Sequence, residues 1–282
     1  MLEVIQETLI DAIKLLPFLF VTYLILEYME HKMGEKSKKA IEKSGKFGPV
    51  IGGILGAFPQ CGFSVSATNL YAGRVITLGT LISVYLSTSD EMLPIFISKQ
   101  VEPSLIFKII GIKILIGIIA GIIIDFVIQI TKSKNNEKKV EIQHLCEEDN
   151  CHCDEDGIFK SSIHHTLSIF AYILVITFLI NTAVYFIGEN TIASWILNKK
   201  ILGPIISSLI GLIPNCAASV ILTNLYLDKV ISFGSMIAGL LTGAGIGLAV
   251  LFKTNKNVKE NLKIMSLVYF IGAISGIIIE II

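Results

Sequence analysis

The chain has 282 residues, 53% of them hydrophobic and 16% charged, with a mean hydropathy of +0.73. Soluble domains carry about 25% charged residues, so little of this chain can fold in water. Lys plus Arg and Asp plus Glu balance at 23 each, so nothing in the net charge points to a nucleic-acid partner.

The charges fall in clusters and leave long apolar tracts between them. A tract of about 18 or more apolar residues reads as a transmembrane helix, because crossing ~30 Å of hydrocarbon takes ~20 residues. The first tract runs from near Ala12 to near Met29. Acidic residues precede it (Glu3, Glu7, Asp11), no basic n-region exists beyond Lys14, and no small-residue cleavage site follows. It therefore reads as a retained span and not as a signal peptide. A polar, proline-containing segment comes next, "GAFPQCGFSVSATNLY" from Gly56 to Tyr71, followed by a third segment near Val75 to Ile97 and a closing span near Leu105 to Ile130.

The same plan then recurs. "GPVIGGILGAFPQCGFSVSATNLYAGRVITLG" (Gly48 to Gly79) aligns without gaps to "GPIISSLIGLIPNCAASVILTNLYLDKVISFG" (Gly203 to Gly234), an internal repeat with an offset of about 155 residues. Flanking the second copy are spans near Thr166 to Ile187, Val230 to Phe252 and Ile264 to Ile282. This divides the chain into a first membrane repeat (1–130), a linker (131–162) and a second membrane repeat (163–282).

Lysine placement bears on how the motif segment crosses. The loops His31 to Lys46, Thr131 to Lys139 and Lys253 to Lys263 are Lys-rich, and the positive-inside rule assigns all three to the cytoplasm of a cell membrane. They share one side only if the motif segment enters the bilayer and returns as a hairpin of two half-helices. Each half then crosses an odd number of times. The fold class expected is an all-α integral membrane protein of two inverted repeats, each with about three full spans plus a broken, re-entrant helical hairpin, an architecture of secondary transporters.

The hairpin tips are the candidate substrate site. Pro59 and Pro214 remove backbone donors and break the helices. Gln60 and Asn215 offer amide oxygens, Ser64 and Ser219 hydroxyls, and Cys61 and Cys216 sulfur suited to soft ions. Helix–helix hydrogen bonding is an alternative role for Thr68–Asn69 and Thr223–Asn224. In the third segment of the first half, "LISVYLSTSDEMLPIF", Thr88, Asp90 and Glu91 lie mid-segment with Pro94 as a helix breaker just after. Adjacent carboxylates at membrane depth default to an ion or proton site. The second half has the uncharged "LLTGAGIGLAVLF" there, so one acidic site is expected. Oxygen ligands suit a hard divalent cation such as Mn2+, whereas paired cysteines suit a softer ion or a trivalent arsenical.

The linker "HLCEEDNCHCDEDG" gathers His144, Cys146, Cys151, His152 and Cys153. Cys- and His-rich tracts of this kind bind metal, although the spacing is not that of a two-CxxC zinc site. A metal-collecting tether and a solvated acidic linker are the two readings.

The motif stretches "FPQCGFSVSATNLYAGRVITLGTLISVYLSTSDEMLPI" and "IPNCAASVILTNLY", the Cys/His-rich linker and "IFKSSIHHTLSIF" after it resemble the ten-helix heavy-metal exporter family, whose members go by arsenic efflux protein or manganese transporter. The resemblance covers essentially the whole chain. It implies efflux of a metal or metalloid through a duplicated permease, and its ten helices agree with six full spans plus two hairpins. It carries over no residue-level site.

No GxxxxGK[ST], HExxH or GxSxG occurs, so neither an ATPase nor a familiar hydrolase signature competes with transport. The expectation is a non-enzymatic, secondary-active exporter of a divalent heavy-metal cation such as manganese. No cofactor is permanently bound, protons are the coupling ion, the lipid bilayer is the partner, and a homo-oligomer is compatible with the sequence. The alternatives are an efflux permease for arsenite or organoarsenicals using the paired cysteines, and, from another class, a membrane metal sensor acting through the linker.

Overall fold

The computed structural model describes residues 8–10, 13, 15–17, 19–25, 28, 47–58, 61–89, 92–132, 153–187 and 201–282. Among these the regular structure is helical. In chain order the helices are α1 (Thr8–Ile25), α2 (Gly48–Gly56), α3 (Cys61–Ala72), α4 (Leu78–Ser87), α5 (Met92–Ser98), α6 (Pro103–Lys132), α7 (Cys153–Ile187), α8 (Leu202–Gly211), α9 (Cys216–Leu227), α10 (Phe233–Thr242), α11 (Gly247–Thr254) and α12 (Val258–Ile281).

The repeat in the sequence is a repeat in space. Helices α2 to α6 and α8 to α12 correspond in order, and their contacts recur at equivalent residues. A Cβ added to Gly56 would run into Ser87 Oγ and the Val84 carbonyl; one added to Gly211 would run into Thr242 Oγ1 and the Gly239 carbonyl. Asp125 of α6 accepts from the Gly79 N–H at 2.8 Å, and Glu280 of α12 accepts from the Gly234 N–H at 3.0 Å. Both carboxylates therefore sit at a helix N-terminus, where the unpaired N–H groups and the dipole favour an anion. Thr77 and Ser232 cap those same helices through their side chains. Arg74 and Lys229, at matching turns, both adopt left-handed backbone, with φ of 58° and 59°.

These contacts also give the helix directions within a half. Gly48 faces Thr80 and Gly56 faces Ser87, so α2 and α4 run the same way, side by side. The helix between them, α3, must run back. Gly79 faces Gly121 while Gly117 faces Ser83, so α6 runs opposite to α4.

Both copies of the third segment are interrupted, the first close to the expected breaker Pro94 and the second where no break was expected: α4 ends at Ser87 and α5 begins at Met92, and α10 ends at Thr242 while α11 begins at Gly247. In the first half the cause is legible. Pro94 lies in the first turn of α5, and a proline clashes with the carbonyl four residues back, at position 90. In the second half Gly243 and Gly245 do the work instead, Gly245 with a φ of 55°.

Burial separates centre from perimeter. Over an 18-residue apolar window the candidate span Phe233–Thr254 is 94% buried, whereas the like windows of Pro103–Thr131 and Val258–Ile281 are 22% and 28% buried. Leu115, Ile119, Ile122, Phe126 and Ile130 form an exposed apolar stripe along α6 at helical spacing, as a lipid-facing surface requires. The main core joins the two halves, with Leu81, Tyr85, Met92 and Phe96 among Leu222, Leu240, Leu241, Leu248 and Val268. A smaller cluster packs α1 and α7 (Leu15, Leu19, Ile169, Ile173) onto Val65 of α3 and onto Ile246 and Val250 at the α11 end.

Candidate functional site

The hydroxyl-bearing face of α3 meets the interruption of the opposite half. Thr68 Oγ1 and the Tyr85 hydroxyl lie 2.6 Å apart, and both reach the carbonyl of Gly247, at 3.1 and 3.2 Å. Thr68 also reaches its own Ser64 carbonyl at 2.7 Å. A Cβ on Gly247 would stand 3.0 Å from Ser64 Cβ, and one on Gly243 would stand 3.2 Å from Ser219 Oγ. The equivalent serines of the two halves thus flank the same stretch of irregular backbone, 243–246. Ser64 and Ser219 are both buried.

The second hairpin tip is tied down differently. Pro214 lies in the turn between α8 and α9, and Asn215 is the N-cap of α9 but makes no capping bond with its side chain. Its amide donates instead to Asn181 Oδ1 of α7, and Asn181 Nδ2 donates to Thr8 Oγ1 of α1 at 2.9 Å. All three side chains are buried. Cys216 opens α9 with its side chain buried.

At the first-half interruption Ser87, Thr88 and Ser89 are buried. Their hydroxyls return to the end of α4: Ser87 and Thr88 donate to the Val84 carbonyl at 3.1 and 2.7 Å, and Ser89 to the Ser87 carbonyl at 3.1 Å. The Thr88 carbonyl accepts from Lys113 Nζ of α6. Lys113 is 1% exposed, inside a helix whose neighbouring side chains are almost all aliphatic.

Two motif residues lack what burial normally demands. Asn69 is 1% exposed, yet neither of its amide atoms has a hydrogen-bond partner. Thr223, the equivalent of Thr68, has a buried hydroxyl without a partner, because Leu240 stands where Tyr85 stands in the first half. A buried polar group left unpaired costs about 1–3 kcal/mol, and both residues carry that cost where they stand.

Of the residues singled out from the sequence, Ser64, Thr88, Asn215, Cys216 and Ser219 are buried at hairpin tips or interruptions, and Pro94 is exposed on α5. Pro59, Gln60, Asp90, Glu91, His144, Cys146, Cys151 and His152 lie outside the described residues. Cys61 and Cys153 open α3 and α7, with side chains outside the description, and α7 carries helix through the last ten residues of the 131–162 linker. Among the described residues no three His, Cys, Asp or Glu side chains converge on a metal-sized site.

Sequence reasoning missed Lys113, Tyr85 and Asn181. Lys113 had a signal, a lone lysine in "GIKILIG" well inside a closing span, and an ionisable residue at that depth is a functional hypothesis by default. Tyr85 and Asn181 had none, since an occasional polar group on a span is ordinary.

An all-helical chain with several helices of membrane-spanning length, and interrupted helices facing each other at its buried centre, is a polytopic membrane protein of transporter type. The family model ArsP_2, described as "Putative, 10TM heavy-metal exporter", matches residues 1–186 and 156–282. The chain belongs to this family of heavy-metal exporters. No curated protein and no solved structure matches it.

Proposed function

We propose that this protein is a secondary-active exporter of a heavy-metal ion, with a hard divalent cation such as Mn2+ as first candidate. The observation that carries the reading is the placement of Ser64 and Ser219, equivalent residues of the two halves, at the two ends of one helix break, against Gly247 and Gly243. Irregular backbone at membrane depth survives where protein buries it or a cavity wets it, and duplicated transporters bind substrate where such breaks face each other. The described side chains there are hydroxyls and an amide, with backbone carbonyls beside them; hard cations favour oxygen ligands of this kind. Asp90 and Glu91 would supply the charge, and Gln60 a further oxygen.

An inverted arrangement of the halves has its own support. Ser64 and Thr68 meet Gly247 at one end of α11, and Tyr71 meets Glu260 just past its other end. Helices α3 and α11 therefore run the same way. Because α3 opposes α4, and α11 continues the span begun by α10, the equivalent helices α4 and α10 run in opposite senses. That is the expected consequence of each half crossing an odd number of times, with the Lys-rich loops in the cytoplasm of a cell membrane and protons driving export.

The test is flux into inverted vesicles or proteoliposomes containing the purified protein, with an imposed proton gradient and Mn2+, Zn2+ and arsenite offered in parallel. Mn2+ uptake that falls at least about a hundredfold, or ~2.7 kcal/mol, in Asp90→Asn/Glu91→Gln but survives in Cys61→Ser/Cys216→Ser is expected. Arsenite or Zn2+ uptake that needs the cysteines would transfer the assignment to a thiol-bound substrate. No flux of any of the three would end the exporter reading.

A further inference from the structure

Polar contacts join the two halves at one seam and not at its pseudo-symmetric counterpart. In the first seam α3 lies against α11 and the start of α12. Thr68 Oγ1 reaches the Gly247 carbonyl at 3.1 Å. One turn further along α3, the Tyr71 hydroxyl donates to Glu260 Oε1, which also accepts from Arg74 at 3.2 Å. Tyr71 is buried. Glu260 stands on a fixed platform: Asn257 caps α12 through its side chain, and Asn261 Nδ2 donates to the Asn255 carbonyl at 2.7 Å, closing the turn between α11 and α12.

The counterpart is α9 with α5 and the start of α6, and there the ties are missing. Leu105 and Ile106 stand where Glu260 and Asn261 stand in the first seam. Thr223 has a buried hydroxyl without a partner. Tyr226 is only half-buried, and its ring leans on Phe233 of its own half at 5.9 Å. Both seams share one backbone, down to the left-handed Arg74 and Lys229, so the polar tie is an addition and not a requirement of the fold. Such ties are directional and exchange with water when parted, so they favour one arrangement without making the other prohibitive.

We propose that Tyr71, Arg74 and Glu260 form a latch between the halves. The latch holds the α3–α12 end of their interface closed in this structure; when Glu260 is released that end opens, and the untied α9 end closes in its turn. It thereby sets which end rests closed. The proposal rests on the inverted halves of the reading above, which alternate around one central site, and it adds the residues that bias the alternation.

The experiment is backbone amide hydrogen exchange, read by mass spectrometry on the full chain in nanodiscs, at the α3 end (68–75) and the α9 end (223–230). It compares the wild type with Glu260→Gln and with Glu260→Gln/Leu105→Glu, and it needs no substrate. In the wild type the α3 end is expected to exchange more slowly. Glu260→Gln should raise exchange at 68–75 about fivefold, or ~1 kcal/mol, and lower it at 223–230, because opening one end closes the other. Adding Leu105→Glu sets a carboxylate opposite Tyr226 and Lys229 and should deepen the protection at 223–230. Tyr71→Phe removes the hydroxyl alone; it should act in the same direction as Glu260→Gln and takes its place if that variant does not fold. A rise at 68–75 with no fall at 223–230 would reduce the three residues to a local clamp and overturn the inference. Unchanged exchange at both ends would overturn it as well. Reciprocal exchange in a protein that moves neither Mn2+, Zn2+ nor arsenite would uphold the latch and end the exporter reading alone.

Discussion

The two halves of the molecule share a skeleton and differ in what it carries. Glycines at equivalent places let α2 and α8 press against α4 and α10, and a carboxylate from each closing span holds the N-terminus of the interrupted helix. The first half then adds Tyr85, Lys113 and the Asp90–Glu91 pair, where the second has Leu240, Val268 and Gly245–Ile246. Duplication fixes the backbone and leaves the chemistry free to concentrate on one side of the pseudo-symmetry. Under the proposed function, a charged site built twice would double the desolvation cost at membrane depth, and one substrate ion would require one such site.

The shared skeleton is the first thing to break. Gly56→Ala would place a methyl against Ser87 Oγ and the rigid Val84 carbonyl, and Gly211→Ala the same against Thr242 and the Gly239 carbonyl. Each should cost about 1–3 kcal/mol through overpacking, read as a lowered unfolding temperature in detergent. Gly111→Ala, where an added Cβ meets nothing within 4 Å, is the control and should stabilise α6 by roughly 0.5–1 kcal/mol. If Gly56→Ala were harmless while Gly211→Ala unfolded the protein, the equivalence of the two interfaces would fail.

The differences call for a paired test. Thr68 is bonded to Tyr85 and Gly247, whereas Thr223 has no partner. Thr68→Val should cost about 1–2 kcal/mol, because the Tyr85 hydroxyl loses a buried partner. Thr223→Val should be neutral or stabilising, since it removes an unsatisfied group. If Thr223→Val leaves stability intact and slows Mn2+ flux, its hydroxyl serves the substrate. If it destabilises as much as Thr68→Val, the hydroxyl has a structural partner and the halves are more alike than described.

Much of this was legible in the sequence, for definable reasons. The motif repeat, the proline at the second hairpin tip and the confinement of the adjacent acidic pair of the third segment to one half are written in residue identity at fixed spacing, which any fold must respect. The second-half interruption was not: "TGAGIG" reads as small-residue packing, and glycines in a span as often allow close approach as break it. The Asn215–Asn181–Thr8 chain was hidden because it joins residues 34 and 173 positions apart, a pairing that helical periodicity cannot reveal. Lys113 was visible as a letter, but its meaning depended on Thr88 lying opposite.

The smallest effect is expected where the halves meet near the surface. Glu260, at the start of α12, accepts from the Tyr71 hydroxyl and from Arg74 at 3.2 Å, with Arg74 44% and Glu260 23% exposed. The equivalents of Tyr71, Arg74 and Glu260 are Tyr226, Lys229 and Leu105, so the pairing exists at one end of the pseudo-symmetric seam and not at the other. A partly solvated ion pair contributes about 0.2–1 kcal/mol. In a double-mutant cycle of Arg74→Gln and Glu260→Gln, followed by unfolding temperature in detergent, the coupling should lie in that range and shrink with added salt. Lys229→Gln should show no salt-dependent change at all, having an apolar residue opposite. Coupling well above 1 kcal/mol would mean that the carboxylate is held in a drier setting, with Tyr71 as its main partner. Tyr71→Phe would then exceed Arg74→Gln in cost, an order that surface charge alone cannot produce.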